Sequence, residues 1–167
     1  MKKSSLLLLS VCFLFILSSC KKHSPAINVT GTFTATINGT PETFNVGAAA
    51  QTENVSGFYS LSLVGVQSTS VANSMLISIN SSTPITAGTY TGASTQASIS
   101  YTLASGSIYQ YDNTEGSSAT VTIKSISSTS VQGTFSGTLN IISGNGAATQ
   151  TLTNGTFNLN IQQASNN

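Results

Sequence analysis

The chain has 167 residues, of which 39% are hydrophobic and 5% are charged, and its formal net charge is +1. This length suits one domain, and the hydrophobic fraction is too high for a disordered chain. A net charge near zero, with no arginine in the sequence, excludes the basic surface that binding to nucleic acid needs. We therefore expect no nucleic-acid partner.

The N-terminal segment has the features of a secretory signal: two lysines, Lys2 and Lys3, and then an apolar stretch over residues 6–17. A helix needs about 20 residues to cross the bilayer, so this stretch is too short to remain as a span. The segment Leu17-Ser18-Ser19-Cys20 resembles the bacterial lipobox. That resemblance implies cleavage before Cys20 and acylation of its thiol and new amine. The alternative is a plain signal peptide that ends near a cysteine.

We accordingly expect residues 1–19 to be a cleaved signal peptide and residues 20–29 to be a tether held in the lipid bilayer through Cys20, since several acyl chains anchor a protein stably. The tether contains Lys21, Lys22 and His23, the only histidine of the chain, which we interpret as solvated and not as a metal ligand. Surface-export signals of Bacteroidetes-type lipoproteins resemble short acidic runs after the cysteine, whereas this tether is basic. The expected location is the bacterial cell envelope, at the outer membrane facing the periplasm, with the cell surface as the alternative.

Residues 30–167 consist of short segments in which apolar and polar residues alternate, separated by clusters of Gly, Asn and Ser. The pair Asn38-Gly39 between two such segments is typical of a two-residue hairpin turn. The pattern predicts a single all-β domain over residues 30–167. Its expected form is an antiparallel β-sandwich or a closed or partly open β-barrel of about eight to ten strands. The predicted strands cover residues 32–37, 43–48, 58–66, 74–80, 97–104, 119–126, 131–142 and 153–162.

The alternation also predicts which side chains point inward. In the second segment we expect Phe44, Val46 and Ala48 to share one face. The predicted core is Phe33, Ile37, Phe44, Leu61, Leu63, Ile77, Ile79, Tyr101, Val121, Ile123, Phe135, Leu139, Phe157, Leu159 and Ile161.

The phrase Gly-Thr-Phe occurs three times, at residues 31–33, 133–135 and 155–157. We interpret each copy as the start of a strand, with the glycine at a bend or bulge, the threonine outward and the phenylalanine inward. The alternative is a shared ligand-binding signature. Together with the lipobox and the segments ATINGTPETF, ATVTIKSI and LTNGTFNLNI, these phrases resemble a group of uncharacterised Bacteroidetes-type lipoproteins. The resemblance implies an all-β envelope domain with no catalytic residues to transfer.

The predicted domain contains few residues of the types that catalysis uses. Beyond the tether there is no histidine, cysteine or arginine, and the single lysine, Lys124, is expected to be solvated. Two of the four acids, Glu42, Glu53, Asp112 and Glu115, could cleave a glycosidic bond if they lay ~5 to 9.5 Å apart, although Glu42 is expected in a loop. The segment Asp112–Glu115 lacks calcium-loop spacing and predicts a turn. We expect no enzyme activity, no metal and no cofactor.

The segment SIYQYDNTEG is the one aromatic cluster with an adjacent acid. Tyr109 and Tyr111 share a strand face, and with Asp112 they form the predicted ligand-binding site. The alternative is that both tyrosines cover the rim of the core. The resulting hypothesis is a membrane-anchored, non-catalytic binding module for a glycan or a peptide. The alternative function is a structural, assembly or adhesin-like surface protein.

Overall fold

The computed structural model describes residues 31–68 and 72–162 of the chain. The predictions for the signal peptide, the tether, Cys20 and His23 concern residues outside these ranges. Within them the chain forms strands and no helix, which confirms the all-β class, and no helix is present there that is long and apolar enough to cross a membrane. The strands are β1 (Thr32–Ile37), β2 (Thr40–Thr43), β3 (Val46–Val55), β4 (Phe58–Val66), β5 (Ser74–Ser81), β6 (Gly88–Thr91), β7 (Ala97–Thr102), β8 (Ile108–Gln110), β9 (Ser118–Ile126), β10 (Ser130–Ser143) and β11 (Thr149–Gln162).

All of these strands belong to one sheet, in the order β2-β1-β11-β3-β4-β5-β7-β8-β10-β9-β6, with a further pairing between β11 and β10. The further pairing divides the sheet into two runs of strands. We call β2-β1-β11-β10-β9-β6 the front run and β3-β4-β5-β7-β8 the back run. The runs join where β11 pairs with β3 and where β10 pairs with β8.

The sheet differs from the prediction in two respects. The junction between β11 and β3, at Ile161 and Ala50, is parallel, whereas the prediction was antiparallel throughout. The described strands also exceed the predicted eight to ten, because β2, β6 and β8 are only three or four residues long. A segment that short shows too little alternation to be recognised as a strand.

The two runs pack against each other and enclose the core. The ring of Phe44, which follows β2, meets the ring of Tyr101 in β7 edge-on, with centroids 6.1 Å apart. Gly65 of β4 lies so close to the front run that an added Cβ would sit 2.5 Å from the Phe44 carbonyl oxygen. This close approach leaves no room for a side chain at that position.

The predicted core is confirmed. Every member of the set is buried except Ile161, which is half-buried and packs against the core. The turn at Asn38 and Gly39 has positive φ at both residues, 49° and 85°, as predicted for a two-residue hairpin. The prediction for Val46 is wrong: this side chain is 48% exposed, because a bulge between residues 46 and 49 breaks the alternation.

Candidate functional site

The residues of the predicted ligand site occupy three different environments. Tyr109 lies in β8 between Tyr101 and Ile141 and is only 1% exposed, so its ring is part of the core. Tyr111 follows β8, is half-buried, and packs over Gly92, where an added Cβ would clash with its ring at 2.4 Å. Asp112 is exposed. A ligand that reached this cluster would therefore meet Tyr111 and Asp112, but not the Tyr109 ring.

The polar groups of this cluster bind one another. Asp112 Oδ1 accepts hydrogen bonds from the Thr114 hydroxyl at 2.8 Å and from the Thr114 backbone N–H at 3.1 Å. The Asn140 side-chain amide donates to the same carboxylate, and the Tyr111 hydroxyl donates to Asn113. The hydrogen bond from the Thr114 hydroxyl is the main reason that the Asp112 pKa falls to about 2. These contacts form the predicted turn on Asp112. They also engage the Asp112 carboxylate and the Tyr111 hydroxyl within the same loop and with Asn140.

A second polar cluster surrounds Glu42, which lies in strand β2 and not in the loop expected from the sequence. The Tyr101 hydroxyl donates to Glu42 Oε2 at 3.0 Å, and the Gln67 amide donates to the same oxygen. Asn73 in turn donates to the Tyr101 hydroxyl at 2.9 Å. Burial raises the pKa of Tyr101 well above its ordinary value, and the negative charge of Glu42 adds to this shift. Tyr101 therefore remains protonated, and the cluster closes one side of the core.

The remaining charged residues are dispersed. Glu53 lies near the end of β3, Glu115 in the loop before β9, and Lys124 is exposed on β9, as predicted for the lysine. In residues 31–68 and 72–162 no three His, Cys, Asp or Glu side chains come together in a group that could hold a metal ion.

The Gly-Thr-Phe phrases of β10 and β11 pair with each other in opposite directions. Gly133 faces Phe157, and Gly155 faces Phe135. A Cβ on Gly133 would lie 2.4 Å from the Phe157 ring, and a Cβ on Gly155 would lie 2.7 Å from the Phe135 ring. Each glycine thus makes room for the phenylalanine of the other copy on the inward face. This confirms that phenylalanine points inward and threonine outward. The expectation that each copy starts a strand is wrong for these two, which lie inside β10 and β11.

On the outward face of the front run, each of the six strands contributes one threonine to a single continuous row. The register places them side by side in the order Thr43, Thr34, Thr156, Thr134, Thr122 and Thr89. We call this the threonine row. Its length is roughly 24 Å, since neighbouring strands lie about 4.8 Å apart.

The hydroxyls of the threonine row are bonded to one another in pairs toward its two ends. Thr34 and Thr156 are 2.8 Å apart, and Thr89 and Thr122 are 3.1 Å apart. Within the part of the chain that the structure describes, the Thr134 hydroxyl between these pairs makes no side-chain hydrogen bond. Thr134 is half-buried, and its hydroxyl can both donate and accept.

A bulge in β11 interrupts the sheet beside the middle of the row. Leu152 faces Gly137 and Gly155 faces Phe135, so Thr153 and Asn154 together oppose one residue of β10. Asn154 has a φ of 50°, in the left-handed region that asparagine tolerates better than most residues. Next to the bulge lies a depression of about 410 Å³ with no charged residue in its lining. We call it the bulge depression; it is lined by Thr120, Thr122, Thr134, Phe135, Ser136, Asn154, Gly155 and Thr156.

The Gly-Thr-Phe phrases of the sequence contain a signal for this surface. Because the threonine is the middle residue of each Gly-Thr-Phe phrase, paired copies must align their threonines on the face opposite the phenylalanines. The Asn-Gly pair at residues 154 and 155 lies at the bulge. The contributions of β6 and β9 depend on strand order, which the sequence does not reveal.

The combined surface is neutral, rich in hydroxyl groups and regular. Each threonine side chain carries a methyl group and a hydroxyl that can both donate and accept. The lining of the bulge depression supplies hydroxyl and amide groups, and it contains no carboxylate, lysine or histidine. The chain matches no family model, and neither the curated proteins nor the solved structures contain a match to it.

Proposed function

We propose that this chain is a lipid-anchored protein of the bacterial cell envelope that binds a neutral polysaccharide, without cleaving it, through the threonine row and the bulge depression. Two parts of the proposal are independent: the anchor at Cys20, and the ligand surface on the front run. The observation that carries the second part is the row of six threonines beside a depression whose lining is uncharged.

The chemistry of this surface favours a sugar polymer. Sugar hydroxyls are both donors and acceptors, as are the threonine hydroxyls, and the CH faces of sugars can lie on the threonine methyl groups. An extended chain suits a row of roughly 24 Å better than a small ligand does. The lining holds no charged residue that would select a charged polymer.

The surface on the front run is a better candidate than the cluster predicted around Tyr109, Tyr111 and Asp112. The Tyr109 ring is in the core, and the hydrogen-bonding groups of Tyr111 and Asp112 are engaged within their own loop. Tyr111 and Asp112 remain the predicted site for a second contact, and Tyr111→Ala measures that contribution separately.

The alternative function, assembly through strand addition, receives less support. The two edges of the front run are β2 and β6, each four residues long. Pro41 in β2 has no N–H to donate to an added strand. Short edges of this kind disfavour the pairing of one copy with another.

Affinity electrophoresis in gels that contain soluble glucan, mannan or xylan tests the ligand. We expect one of these polymers to retard the wild-type protein, and the triple variant T122V/T134V/T156V to lose that retardation. Threonine and valine have similar shapes, so the substitution removes the hydroxyls while the surface contour remains. Thr102→Val, on β7 of the back run, is the matched control and should bind as the wild type does.

Three results would contradict the ligand proposal. These are retardation by none of the polymers, undiminished retardation of the triple variant, and release of reducing sugar from the retained polymer. Capture of peptides from a peptide array, without binding to polysaccharide, would favour the peptide alternative.

Mass spectrometry of the protein purified from membranes tests the anchor. The expected N-terminal peptide begins at Cys20 and carries acyl chains, and Cys20→Ala should leave the precursor uncut or release soluble protein. An unmodified Cys20 thiol in the mature protein would contradict the anchor while leaving the ligand proposal intact.

A further inference from the structure

The hairpin that connects β3 to β4 ends in an exposed apolar tip. Val55 and Phe58 pair across a two-residue turn and are 67% and 56% exposed. The turn residues, Ser56 and Gly57, have φ values of 53° and 83°, which suits a tight hairpin. We call Val55–Phe58 the hairpin tip. The two side chains form one contiguous exposed apolar patch at the end of a projecting hairpin, and contiguous apolar patches are found at membrane and protein interaction sites.

The topology places the hairpin tip at the end of the domain where the chain enters from the tether. β3 runs parallel to β11, with Ala50 beside Ile161, and then continues past the end of β11. β1 runs antiparallel to β11 and begins at Thr32 beside Asn158. The described chain therefore begins at the end of the domain toward which the hairpin tip projects.

The segment between Cys20 and Gly31 is long enough to span the distance by which the hairpin tip projects. The tip lies about seven or eight residue steps beyond the level of Gly31 along the strand direction, which is roughly 25 Å. Eleven residue steps separate Cys20 from Gly31, and a chain of that length reaches at most roughly 36–40 Å. A cysteine held in the bilayer by its acyl chains thus leaves enough chain for the tip to touch the same bilayer.

We propose that Val55 and Phe58 insert into the membrane that carries the acyl chains of Cys20, so that the domain has a second contact point and a fixed orientation. This inference rests on the lipid anchor proposed above. Phenylalanine and valine are suited to the boundary between head groups and acyl chains. Glu53, exposed near the tip, would be repelled by anionic head groups, so the contact depends on apolar burial and does not need anionic lipid.

The orientation has a consequence for the ligand surface. With the tip inserted, the strands run roughly perpendicular to the membrane plane. The threonine row crosses the strands and therefore runs parallel to the bilayer surface. The turn at Asp112 lies beside Asn140, toward the end of β10 that points away from the membrane.

The test uses the acylated full-length protein in vesicles of zwitterionic lipid. Cys20 is blocked by its acyl group and the described residues contain no cysteine, so single substitutions allow specific labelling. An environment-sensitive fluorophore at Ser56→Cys reports on the tip, and one at Ala147→Cys reports on the exposed loop between β10 and β11. We expect lipid-borne quenchers to quench the label at position 56 and to leave the label at position 147 unaffected.

Removing the apolar side chains of Val55 and Phe58 should prevent the tip from inserting into the bilayer. In the Ser56→Cys background, V55S/F58S should lower the quenched fraction about tenfold, because little apolar area remains for the bilayer to bury. The matched control is V64S/L76S. It removes another exposed apolar pair, which is formed by one residue of β4 and one of β5 and lies away from the tip. This control should be quenched like the wild type.

The outcomes separate the inference from the anchor. If the wild type co-sediments with vesicles but the label at position 56 is not quenched, the inference is wrong and the anchor stands. If the wild type fails to co-sediment and Cys20 is unmodified, the anchor itself is wrong. Protection of position 56 that rises with protein concentration without lipid would identify a second copy as the occupant and overturn the membrane contact.

Discussion

On β10 and β11 the same short phrase supplies both faces of the sheet. Inward, Phe135 and Phe157 are buried at 4% and 1% exposure, and each covers a glycine of the other strand. Outward, Thr134 and Thr156 lie side by side in the threonine row. The comparison shows how one repeated phrase can specify packing on one face and a hydroxyl surface on the other. Substitutions on the inward face should therefore change stability, and substitutions on the outward face should change binding.

The largest expected effect is on the inward face. Phe135→Ala and Phe157→Ala should each lower the free energy of unfolding by about 3–5 kcal/mol, because each removes a buried ring and leaves a cavity. Denaturant unfolding followed by circular dichroism measures this. Thr134→Val, on the outward face of the same strand, should change the free energy by less than about 0.5 kcal/mol. A loss below about 1 kcal/mol for both phenylalanines would show that the strand faces are assigned wrongly.

The second-largest expected loss of stability is at the glycines that pack against the phenylalanine rings. A Cβ on Gly133 would lie 2.1 Å from the Thr122 carbonyl oxygen, and this backbone atom can move only if β9 moves. We expect Gly133→Ala to cost about 1–3 kcal/mol, the range typical of overpacking. Gly88→Ala is the matched control in β6, since an added Cβ there meets nothing within 4 Å. An equal effect at both positions would mean that the cost comes from glycine replacement in general, and not from the phenylalanine–glycine packing.

The inward face was predictable from the sequence because alternation alone decides it. Nearly all of the predicted core is buried, and the exception, Ile161, lies at the end of the last strand, where cover is incomplete. Val46 was misassigned because the bulge at Gly47, whose φ is 62°, interrupts the alternation between Phe44 and Ala48, which are both buried. Alternation has no means of indicating a bulge.

The outward face was not predictable to the same extent. The threonine row is assembled from strands that are distant in the sequence, such as β1 and β11, whose Thr34 and Thr156 are separated by 122 positions. Only the strand order and register reveal that these residues are neighbours. The prediction around Tyr109 relied on adjacency in sequence, which could not show that the Tyr109 ring is buried between β7 and β10.

The third expected effect concerns the polar cluster at the edge of the core. Tyr101→Phe removes the hydroxyl that donates to Glu42 and accepts from Asn73, and we expect a loss of about 1–3 kcal/mol in unfolding free energy. Tyr90→Phe is the comparison variant, since its hydroxyl bonds only to the nearby backbone at Thr86. If both variants lose the same stability, the Glu42 cluster contributes nothing beyond an ordinary exposed hydrogen bond.

The smallest expected effect concerns the pKa of Asp112, which lies in a loop and on neither face of the sheet. The Asp112 pKa is about 2, below the ordinary value of 3.8, because the Thr114 hydroxyl donates to the carboxylate in the folded chain. A lowered pKa means that folding favours the charged form. Its contribution to stability is thus complete above pH 3.8 and is lost as the pH falls through 2. Carboxyl carbon shifts in an NMR titration should report a midpoint near 2, moving toward 3.8 in Thr114→Val.

Asn140→Ala should raise the Asp112 pKa less than Thr114→Val does, because the Asn140 amide contributes less to the shift. The phenylalanine and glycine substitutions of β10 and β11 should leave the midpoint where it is, provided that the domain remains folded, since the turn is closed by Thr114 within its own loop. A midpoint at or above 3.8 in the wild type would show that the Thr114 hydroxyl does not hold the carboxylate in solution. In that case Asp112 would be available to a ligand, and the predicted site at Tyr111 and Asp112 would gain support over the threonine row.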